Sequence, residues 1–532
     1  MLSPGFRPAA AAVLIVLSAA SGGGLRSAQQ DTPAAPDPVA SRLDPYAGRA
    51  RVLVMTDIAN EPDDQMSLVR FLVSGNHFDV DGRVATTSTW MRNKVRPDVI
   101  HAVLDAYDRV QPNLLIHEPG FPAADELRGV VASGQQGYGM AAVGPGRATE
   151  GSDLILRAAD RDDPRPLWVL AWGGANTLAQ ALLQAREGRT PAGLAALVSK
   201  LRVYAISDQD DAGPWIRREF PALHYIAMPS TPDGDEYYRA TWTGISGDTF
   251  YKNAPGADVT TFTKAWVDEH VRSKGPLGTV YPLPCCIHEG DTPSFLNLID
   301  NGLAGAMNPT FGGWGGRYVW RQPYGDTRPF WTQGGDSFPG RDNSKDTVAG
   351  IDGRDYTSDQ ATIWRWRRAF QHDFAARMDW TIRDVPDANH NPEVTVNGRP
   401  GKAPLFLKAV VGTPLTLDAA GTRDPDGHEL TYIWFAYPEA GTGSPGQPVV
   451  AAGLVAIGGG GVAGEGGIPS AESGPPEPPP RLTIENPDTP RAAMMPHVAG
   501  TAHVILAVED NGTPSLTSYR RIVLTISSAS ER

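Results

Sequence analysis

Residues 51–64 have the sequence RVLVMTDIANEPDD, and this segment indicates the fold class. The apolar segment Arg51–Thr56 predicts a strand, and a polar turn then leads to a helix predicted over Asp63–Val73. A buried strand followed by an amphipathic helix predicts the first β–α unit of a parallel sheet. Ligands of such sheets bind at the carboxyl ends of the strands. Three carboxylates lie at that junction: Asp57, Asp63 and Asp64.

The alternation of strands and helices continues to about residue 228, which predicts an α/β domain with a mainly parallel central sheet. We assign this domain to residues 48–386. The further predicted strands are Phe78–Thr87, Leu114–His117, Pro166–Trp172, Leu201–Ile206 and His224–Met228. The further predicted helices are Asp98–Val110 and Asn176–Arg186.

The sequence pattern changes near Asp387, where a linker composition gives way to short alternating strands. Five are predicted, and Gly-, Asp- and Pro-rich turns separate them: Glu393–Val396, Leu415–Asp418, Leu430–Phe435, Ala502–Glu509 and Arg521–Ile526. This pattern predicts an immunoglobulin-like β-sandwich over residues 387–532. The Gly/Pro-rich stretch 452–480 has little capacity to form a core and is predicted as a loop inside the sandwich.

Length and charge restrict the classes of function. A chain of 532 residues exceeds what one hydrophobic core supports, so at least two domains are expected. The formal net charge is -13 at pH 7, and no run of Lys and Arg offsets it. We therefore expect neither nucleic acid nor an anionic membrane surface as a partner.

The amino terminus predicts export. Residues 1–28 combine a positive charge, an apolar run over Ala9–Ala20 and small residues, as a secretory signal peptide does. An uncleaved membrane tether is the alternative. After cleavage the protein is expected in the periplasm or outside the cell, free of the membrane, with residues 29–47 as a flexible lead-in. Cys285 and Cys286 are adjacent, which disfavours a bridge between them, and we expect buried free thiols.

The acidic junction favours a metal site. Three converging carboxylates repel one another unless a cation or protons lie among them. Ligands that are all oxygen suit Ca²⁺ or Mg²⁺, and a bound cation lowers the pKa of water while a spare carboxylate accepts its proton. The alternative is that Asp63 and Asp64 only place favourable negative charge at a helix N-terminus.

Other loops supply candidate substrate contacts. Trp90 and Trp314 lie beside polar or Gly-rich turns and are candidates for stacking on a sugar face, although most tryptophans are core residues. Asn93 is a candidate hydrogen-bonding partner of sugar hydroxyls, or else a solvated loop residue. Asp208 and Gln209 follow another strand and are also predicted substrate contacts.

Two further acidic positions favour a structural role. Asp211 is predicted to cap the N-terminus of a helix containing Trp215–Phe220. The segment Asp424-Pro425-Asp426-Gly427 favours a plain tight turn over a calcium site.

Seven segments occurring in order carry a resemblance to a known family: Asp57–Asp64, Glu150–Asp153, Trp172–Thr177, Glu289–Phe295, Gly312–Tyr318, Asp424–Gly427 and Tyr432–Trp434. Together they resemble the cellulose-binding, nucleoside-hydrolase-like family of bacterial exported proteins. The resemblance covers about the whole mature chain and implies a nucleoside-hydrolase fold for the α/β domain.

The resemblance also implies a calcium site and a reaction. It implies that Asp57 binds Ca²⁺ and serves as general base to the attacking water, and that Asp64 is a second ligand. The carbonyl of Trp172 and the carboxylate of Asp291 would complete the shell, and Asp63 would face sugar hydroxyls. The implied reaction is hydrolysis of an N-glycosidic bond through an oxocarbenium-like transition state.

This sequence departs from the nucleoside hydrolases in ways that leave two functions open. Gly290 stands where their pocket often has a His, and the gap between Asp57 and Asp63 is longer than theirs. One hypothesis is an exported, Ca²⁺-dependent hydrolase of N-glycosyl or related sugar bonds, acting on a sugar-containing small molecule. The other is a non-catalytic protein that binds cellulose or another plant polysaccharide.

Overall fold

A computed structural model describes residues 39–228, 237–283, 285–323, 326–333, 344–441 and 481–529. The predicted signal peptide, most of the lead-in and the Gly/Pro-rich loop 452–480 lie outside the described residues. Within those ranges, no helix is long and apolar enough to span a bilayer.

Eight strands form the central sheet: β1 (Ala50–Thr56), β2 (Phe78–Ala85), β3 (Val131–Ser133), β4 (Leu167–Ala171), β5 (Leu201–Ser207), β6 (His224–Met228), β7 (Val319–Arg321) and β8 (Phe330–Thr332). Their order is β3-β2-β1-β4-β5-β6-β8-β7, and every neighbouring pair is parallel except β7 with β8. The prediction of a mainly parallel sheet is confirmed. Strand β1 is central, with Val52 and Val54 in one core and Leu53 and Met55 in the other, which explains its unbroken apolar run.

The described helices are α1 (Asp63–Val73), α2 (Pro97–Asp108), α3 (Gln111–His117), α4 (Ala124–Arg128), α5 (Glu150–Asp160), α6 (Asn176–Gly188), α7 (Pro191–Lys200), α8 (Ala212–Glu219), α9 (Gly247–Phe250), α10 (Lys264–Val267), α11 (Gly275–Thr279), α12 (Pro293–Leu296), α13 (Ala361–Trp364) and α14 (Arg367–Asp379). One face of the sheet packs on α1, α2 and α14, and the other on α5, α6 and α8. The strand predicted over Leu114–His117 is wrong, because Pro112 lies in the first turn of helix α3 and only Leu114 of this helix is buried.

The chain then forms a hairpin, β9 (Asp346–Ala349) and β10 (Asp355–Ser358), before the C-terminal strands. These are β11 (Thr395–Val396), β12 (Arg399–Pro400), β13 (Leu405–Val410), β14 (Leu415–Asp418), β15 (Leu430–Ala436), β16 (Leu482–Glu485), β17 (Arg491–Pro496), β18 (Gly500–Asp510) and β19 (Thr517–Ser527). Two sheets, β13-β19-β18-β15 and β14-β17-β16, enclose one apolar core. The predicted sandwich is confirmed, and β12, β13, β16 and β17 are strands that the sequence pattern did not predict.

One buried ion pair positions the carboxyl edge of the sheet. Arg70 of α1 donates to Glu289 through Nε (2.5 Å to Oε2) and Nη2 (3.1 Å to Oε1). Its guanidinium also donates to the carbonyl of Phe370 (3.0 Å) and to Gln371, and its Cζ lies 4.0 Å from the ring centroid of Phe374. The Arg70 side chain therefore ties together α1, the turn before α12 and helix α14.

We predict that Arg70→Met lowers the free energy of unfolding by about 3–5 kcal/mol, because it leaves the buried Glu289 carboxylate without its cation. Urea unfolding followed by tryptophan fluorescence measures this change. The matched control is Arg96→Gln, which removes the ion pair with Asp98 on the surface and should cost less than about 1 kcal/mol. Equal losses in the two variants would contradict the role given to Arg70.

Candidate metal centre

Four carboxylates converge at the carboxyl edge of the central sheet. Asp57 follows β1, Asp63 and Asp64 begin α1, and Asp291 precedes α12, and all four are buried. One carboxylate oxygen from each of Asp63, Asp64 and Asp291 lies within 4.8 Å of the other two. The structure therefore brings together residues that are more than 200 positions apart in the sequence, with a geometry that can hold a metal ion.

Burial and mutual repulsion raise the pKa of each carboxyl group in the cluster. Burial is the largest cause throughout, and it raises the pKa of Asp57 to about 6 against an opposing hydrogen bond from the Ser88 hydroxyl. The pKa values of Asp63, Asp64 and Asp291 lie well above their ordinary range, and the charge of Asp57 contributes to all three. Such a cluster requires protons or a cation to be stable.

The hydrogen bonds of the cluster leave one oxygen unsatisfied. The Thr56 hydroxyl donates to Asp64 Oδ1, and the backbone N–H of Asp64 donates to Asp63 Oδ1 at 3.0 Å. Asp291 Oδ2 is buried without a hydrogen-bond partner among the described residues. Buried carboxylate oxygens are normally paired, so a free one beside two other carboxylates fits a cation ligand.

The turn after β4 brings the Trp172 carbonyl to the same edge. A Cβ at position 173 would lie 2.7 Å from Asp57 Oδ1, so this approach requires Gly173. The Trp172 carbonyl accepts a hydrogen bond from Gln209 Nε2 at 2.6 Å and keeps a second lone pair. Gln209 Oε1 is buried and has no partner within the described part of the chain.

The acidic loop after β5 has mainly structural partners. Asp208 forms a buried bidentate ion pair with Arg217, with both N···O distances 2.8 Å, so its carboxylate is already engaged. Asp211 stands at the predicted N-cap position of α8, but its side chain makes no capping hydrogen bond. The Asp210 carboxylate accepts from the N–H of Ala212 at 3.0 Å and so caps α8, whereas Asp211 Oδ1 accepts from the N–H of Met140 at 2.7 Å.

Aromatic side chains lead from the surface to the carboxylates. Trp90 is 50% exposed, and its ring centroid lies 6.5 Å from that of Tyr237, which lies 5.5 Å from that of Trp242. A Cβ at position 290 would lie 3.1 Å from the Trp242 ring and 2.7 Å from Asp63 Oδ2. The lack of a side chain at Gly290 therefore allows the turn to pack against Trp242 and Asp63. A side chain at position 290 would displace the Asp63 carboxylate.

The other two predicted substrate residues lie in different surroundings. Asn93 is exposed on the loop that carries Trp90. Trp314 is only 2% exposed and packs edge-on against Phe370 and Tyr519, beneath the sandwich. The Trp314 ring has no face open to solvent, so we assign it to the core.

Two polar residues of the site were not predicted. The Ser88 hydroxyl donates to Asp57 and accepts from the N–H groups of Trp90 and Met91, both at 3.1 Å. Glu61 adds negative charge that raises the pKa of Asp63. The polar turn sequence Asn60-Glu61-Pro62 could have identified Glu61 from the sequence. No local sequence pattern identifies Ser88.

The two cysteines also lie at this edge. Burial raises the pKa of Glu61, and a hydrogen bond from the Cys286 thiol opposes this. Cys285 is exposed and Cys286 is half-buried, so the prediction of buried thiols is wrong. Their segment lies at the surface beside Glu61 rather than in the core.

The comparisons with known proteins agree with this arrangement. The description "Cellulose-binding Sde182, nucleoside hydrolase-like domain" matches residues 51–318, and "Cellulose-binding protein Sde0182, C-terminal domain" matches residues 414–526. The type III effector protein XopQ, solved in complex with adenosine diphosphate ribose, is 11% identical with a TM-score of 0.29, covering 64% of this chain and 96% of that chain. A likeness that low carries no inference. No curated protein matches this chain.

A further solved structure is similar over nearly the whole chain. It is a nucleoside hydrolase-related protein from Saccharophagus degradans that is associated with carbohydrate metabolism. It is 34% identical, with a TM-score of 0.70, and the match covers 90% of this chain and 100% of that chain. On these matches, the chain belongs to the family of cellulose-binding, nucleoside hydrolase-like proteins.

Proposed function

We propose that this protein is an exported, Ca²⁺-dependent hydrolase of N-glycosyl or related sugar bonds. The observation that carries the proposal is the buried cluster of Asp63, Asp64 and Asp291, with the unpartnered Asp291 Oδ2, beside Asp57. A protein that only used these acids as helix N-terminal charges would have no need for Asp291 among them. The family and residues 1–28 support export.

The donor set fits a hard cation. Ca²⁺ takes six to eight oxygen ligands in flexible geometry, and every candidate atom at this site is an oxygen. Asp57, Asp64, Asp291 and the Trp172 carbonyl would hold the ion, and one oxygen of Asp63 lies within the same reach. A bound Ca²⁺ supplies charge stabilisation and a water with a lowered pKa.

The residues around the ion have separate tasks in the proposed reaction. Asp57, held by the Ser88 hydroxyl and by the close approach of Gly173, accepts the proton of the attacking water. Asp63 Oδ2 faces Gly290 and accepts hydrogen bonds from sugar hydroxyls. The aromatic side chains Trp90, Tyr237 and Trp242 cover the apolar face of the sugar and exclude water.

A second candidate function is carbohydrate binding without hydrolysis. The specific observation in its favour is the half-exposed ring of Trp90 at the mouth of the site, which offers a flat apolar surface to a glucan chain. The cellulose-binding description of the family points to the same class of ligand. The two candidates differ in whether Asp57 is needed.

For the cation site, we predict that Asp64→Asn loses one bound Ca²⁺ per chain, because the variant removes a charged ligand and leaves the volume unchanged. Isothermal titration of the chelator-treated protein measures the stoichiometry. Asp211→Asn is the matched control, since Asp211 lies at the same edge but outside the cluster, and it should bind as the wild type does. An unchanged titration of Asp64→Asn would overturn the cation site.

For catalysis, we predict that the wild type with Ca²⁺ releases free sugar from members of a panel of nucleosides and aryl glycosides. Asp57→Asn should lower kcat by about 10²–10⁴-fold, the usual contribution of a general base. A reducing-sugar assay measures both rates. If the wild type turns over no member of the panel, hydrolysis is rejected and the binding function remains.

For carbohydrate binding, we predict that Trp90→Ala weakens binding to cellulose about 3–10-fold, the equivalent of one aromatic stacking contact. A depletion assay on microcrystalline cellulose measures the bound fraction. The control is Phe406→Ala, which removes an exposed aromatic ring of the sandwich. A loss confined to Phe406→Ala would place the binding surface on the sandwich instead.

A further inference from the structure

A second acidic cluster lies in the sandwich, in the turn between β14 and β15. One ligand atom from each of Asp424, Asp426 and His428 lies within 4.8 Å of the others. Asp424 Oδ1 accepts from the N–H groups of Asp426 (3.0 Å) and His428 (2.9 Å). A plain tight turn accounts for these bonds, as the sequence favoured.

A plain turn does not account for two buried oxygens beside it. The Asp424 side chain is 1% exposed, and its Oδ2 has no hydrogen-bond partner among the described residues. Asp510, at the end of β18, is 3% exposed, and its Oδ2 is likewise without a partner in the described chain. Leaving a buried carboxylate oxygen unpaired is costly, and here two occur together.

Asp510 lies next to the Asp424 turn, because Asp510 pairs in register with Leu430, the first residue of β15, and the N–H of Asn511 donates to the Glu429 carbonyl at 3.2 Å. Burial raises the pKa of Asp510, and the charge of Asp424 raises it further. Asp510 Oδ1 is fully engaged, with donors from Asn389 Nδ2 (2.9 Å), Gly512 N (2.8 Å) and Leu516 N (3.1 Å). Its Oδ2 is the oxygen that has no donor among the described residues.

We propose that the turn carrying Asp424 and Asp426 binds a second Ca²⁺ next to Asp510, distinct from the ion proposed for the α/β domain. Among the described residues, the unpartnered buried atoms here are Asp424 Oδ2, Asp510 Oδ2 and His428 Nδ1, and the two carboxylate oxygens among them suit Ca²⁺ better than a softer metal. His428 Nδ1 lies 3.4 Å from Asp424 Oδ1 and is the one nitrogen of the cluster. Zn²⁺ binding in place of Ca²⁺ would therefore require His428.

The position of this site gives it a structural role at the junction of the two domains. Asn389, which donates to Asp510, accepts a hydrogen bond on its carbonyl from Trp380 Nε1 at 2.9 Å. The N–H of His390 donates to Asp426 Oδ2 at 2.7 Å, and its ring stacks on Trp380 with centroids 5.1 Å apart. The ion would thus fix the segment that leaves helix α14 against the sandwich.

The test counts bound Ca²⁺ in the full-length, chelator-treated chain by isothermal titration and by elemental analysis after dialysis. We expect two Ca²⁺ in the wild type, one in Asp424→Asn, one in Asp64→Asn and none in the double variant. Asn at position 424 still accepts from the two backbone N–H groups, so only the free oxygen is lost. The control is Asp418→Asn, which changes a half-buried acid of β14 that pairs with Arg491, and this variant should keep both ions.

Each way in which the proposal can fail gives a different experimental result. If Asp424→Asn binds as many Ca²⁺ as the wild type, the sandwich site is overturned, and the result for Asp64→Asn still decides the site of the α/β domain. Should Asp424→Asn fail to fold, Asp510→Asn decides the question by the same count. If the sandwich takes up Zn²⁺ and no Ca²⁺, and His428→Ala abolishes this uptake, the assignment of the metal is overturned. Slower proteolysis near residue 388 on adding Ca²⁺, lost in Asp424→Asn but kept in Asp64→Asn, would support the role at the junction.

Discussion

The ion pair between Arg70 and Glu289 determines where the acid cluster forms. Arg70 lies about two turns after Asp63 and Asp64 on the same helix, and Glu289 lies two residues before Asp291. The pairing of Arg70 with Glu289 therefore brings Asp63 and Asp64 close to Asp291. Glu289 has a positive φ of 53°, an uncommon conformation for a residue with a side chain, and the ion pair offsets its cost.

The acidic residues at this edge of the sheet lie in two kinds of surroundings. Asp208 and Glu289 each receive an arginine in a buried bidentate pair. Across the described ranges, no Lys or Arg forms an ion pair with Asp57, Asp63, Asp64 or Asp291. The fold thus neutralises the acids that it uses for structure and leaves four together without a basic partner, which is the arrangement that a metal site needs.

The sequence predicted those features that depend on neighbouring residues. Helix α1 has the predicted bounds, and β1 begins one residue before the predicted strand, because strand burial, turn and helix periodicity are all local. Asp291 was placed through the family resemblance rather than through any local pattern. The role of Trp314 depended on a tertiary partner, because it lies under Tyr519. Asp210 caps α8 in place of Asp211, and its second oxygen accepts from the N–H of Asn176 (3.1 Å), a tertiary contact that no local pattern indicates. Ser88 escaped prediction because only the folded chain brings its hydroxyl to Asp57.

The contacts of the sandwich argue against a loosely tethered module. The described residues from 39 to 529 belong to one compact unit. Arg521 of β19 donates from Nε to the Leu303 carbonyl (2.5 Å) and from Nη2 to the Gly312 carbonyl (2.9 Å). Tyr519 packs on Trp314, which places the sandwich against the segment that follows α12. Since α12 begins two residues after Asp291, the sandwich packs on the chain segment that continues from the acid cluster.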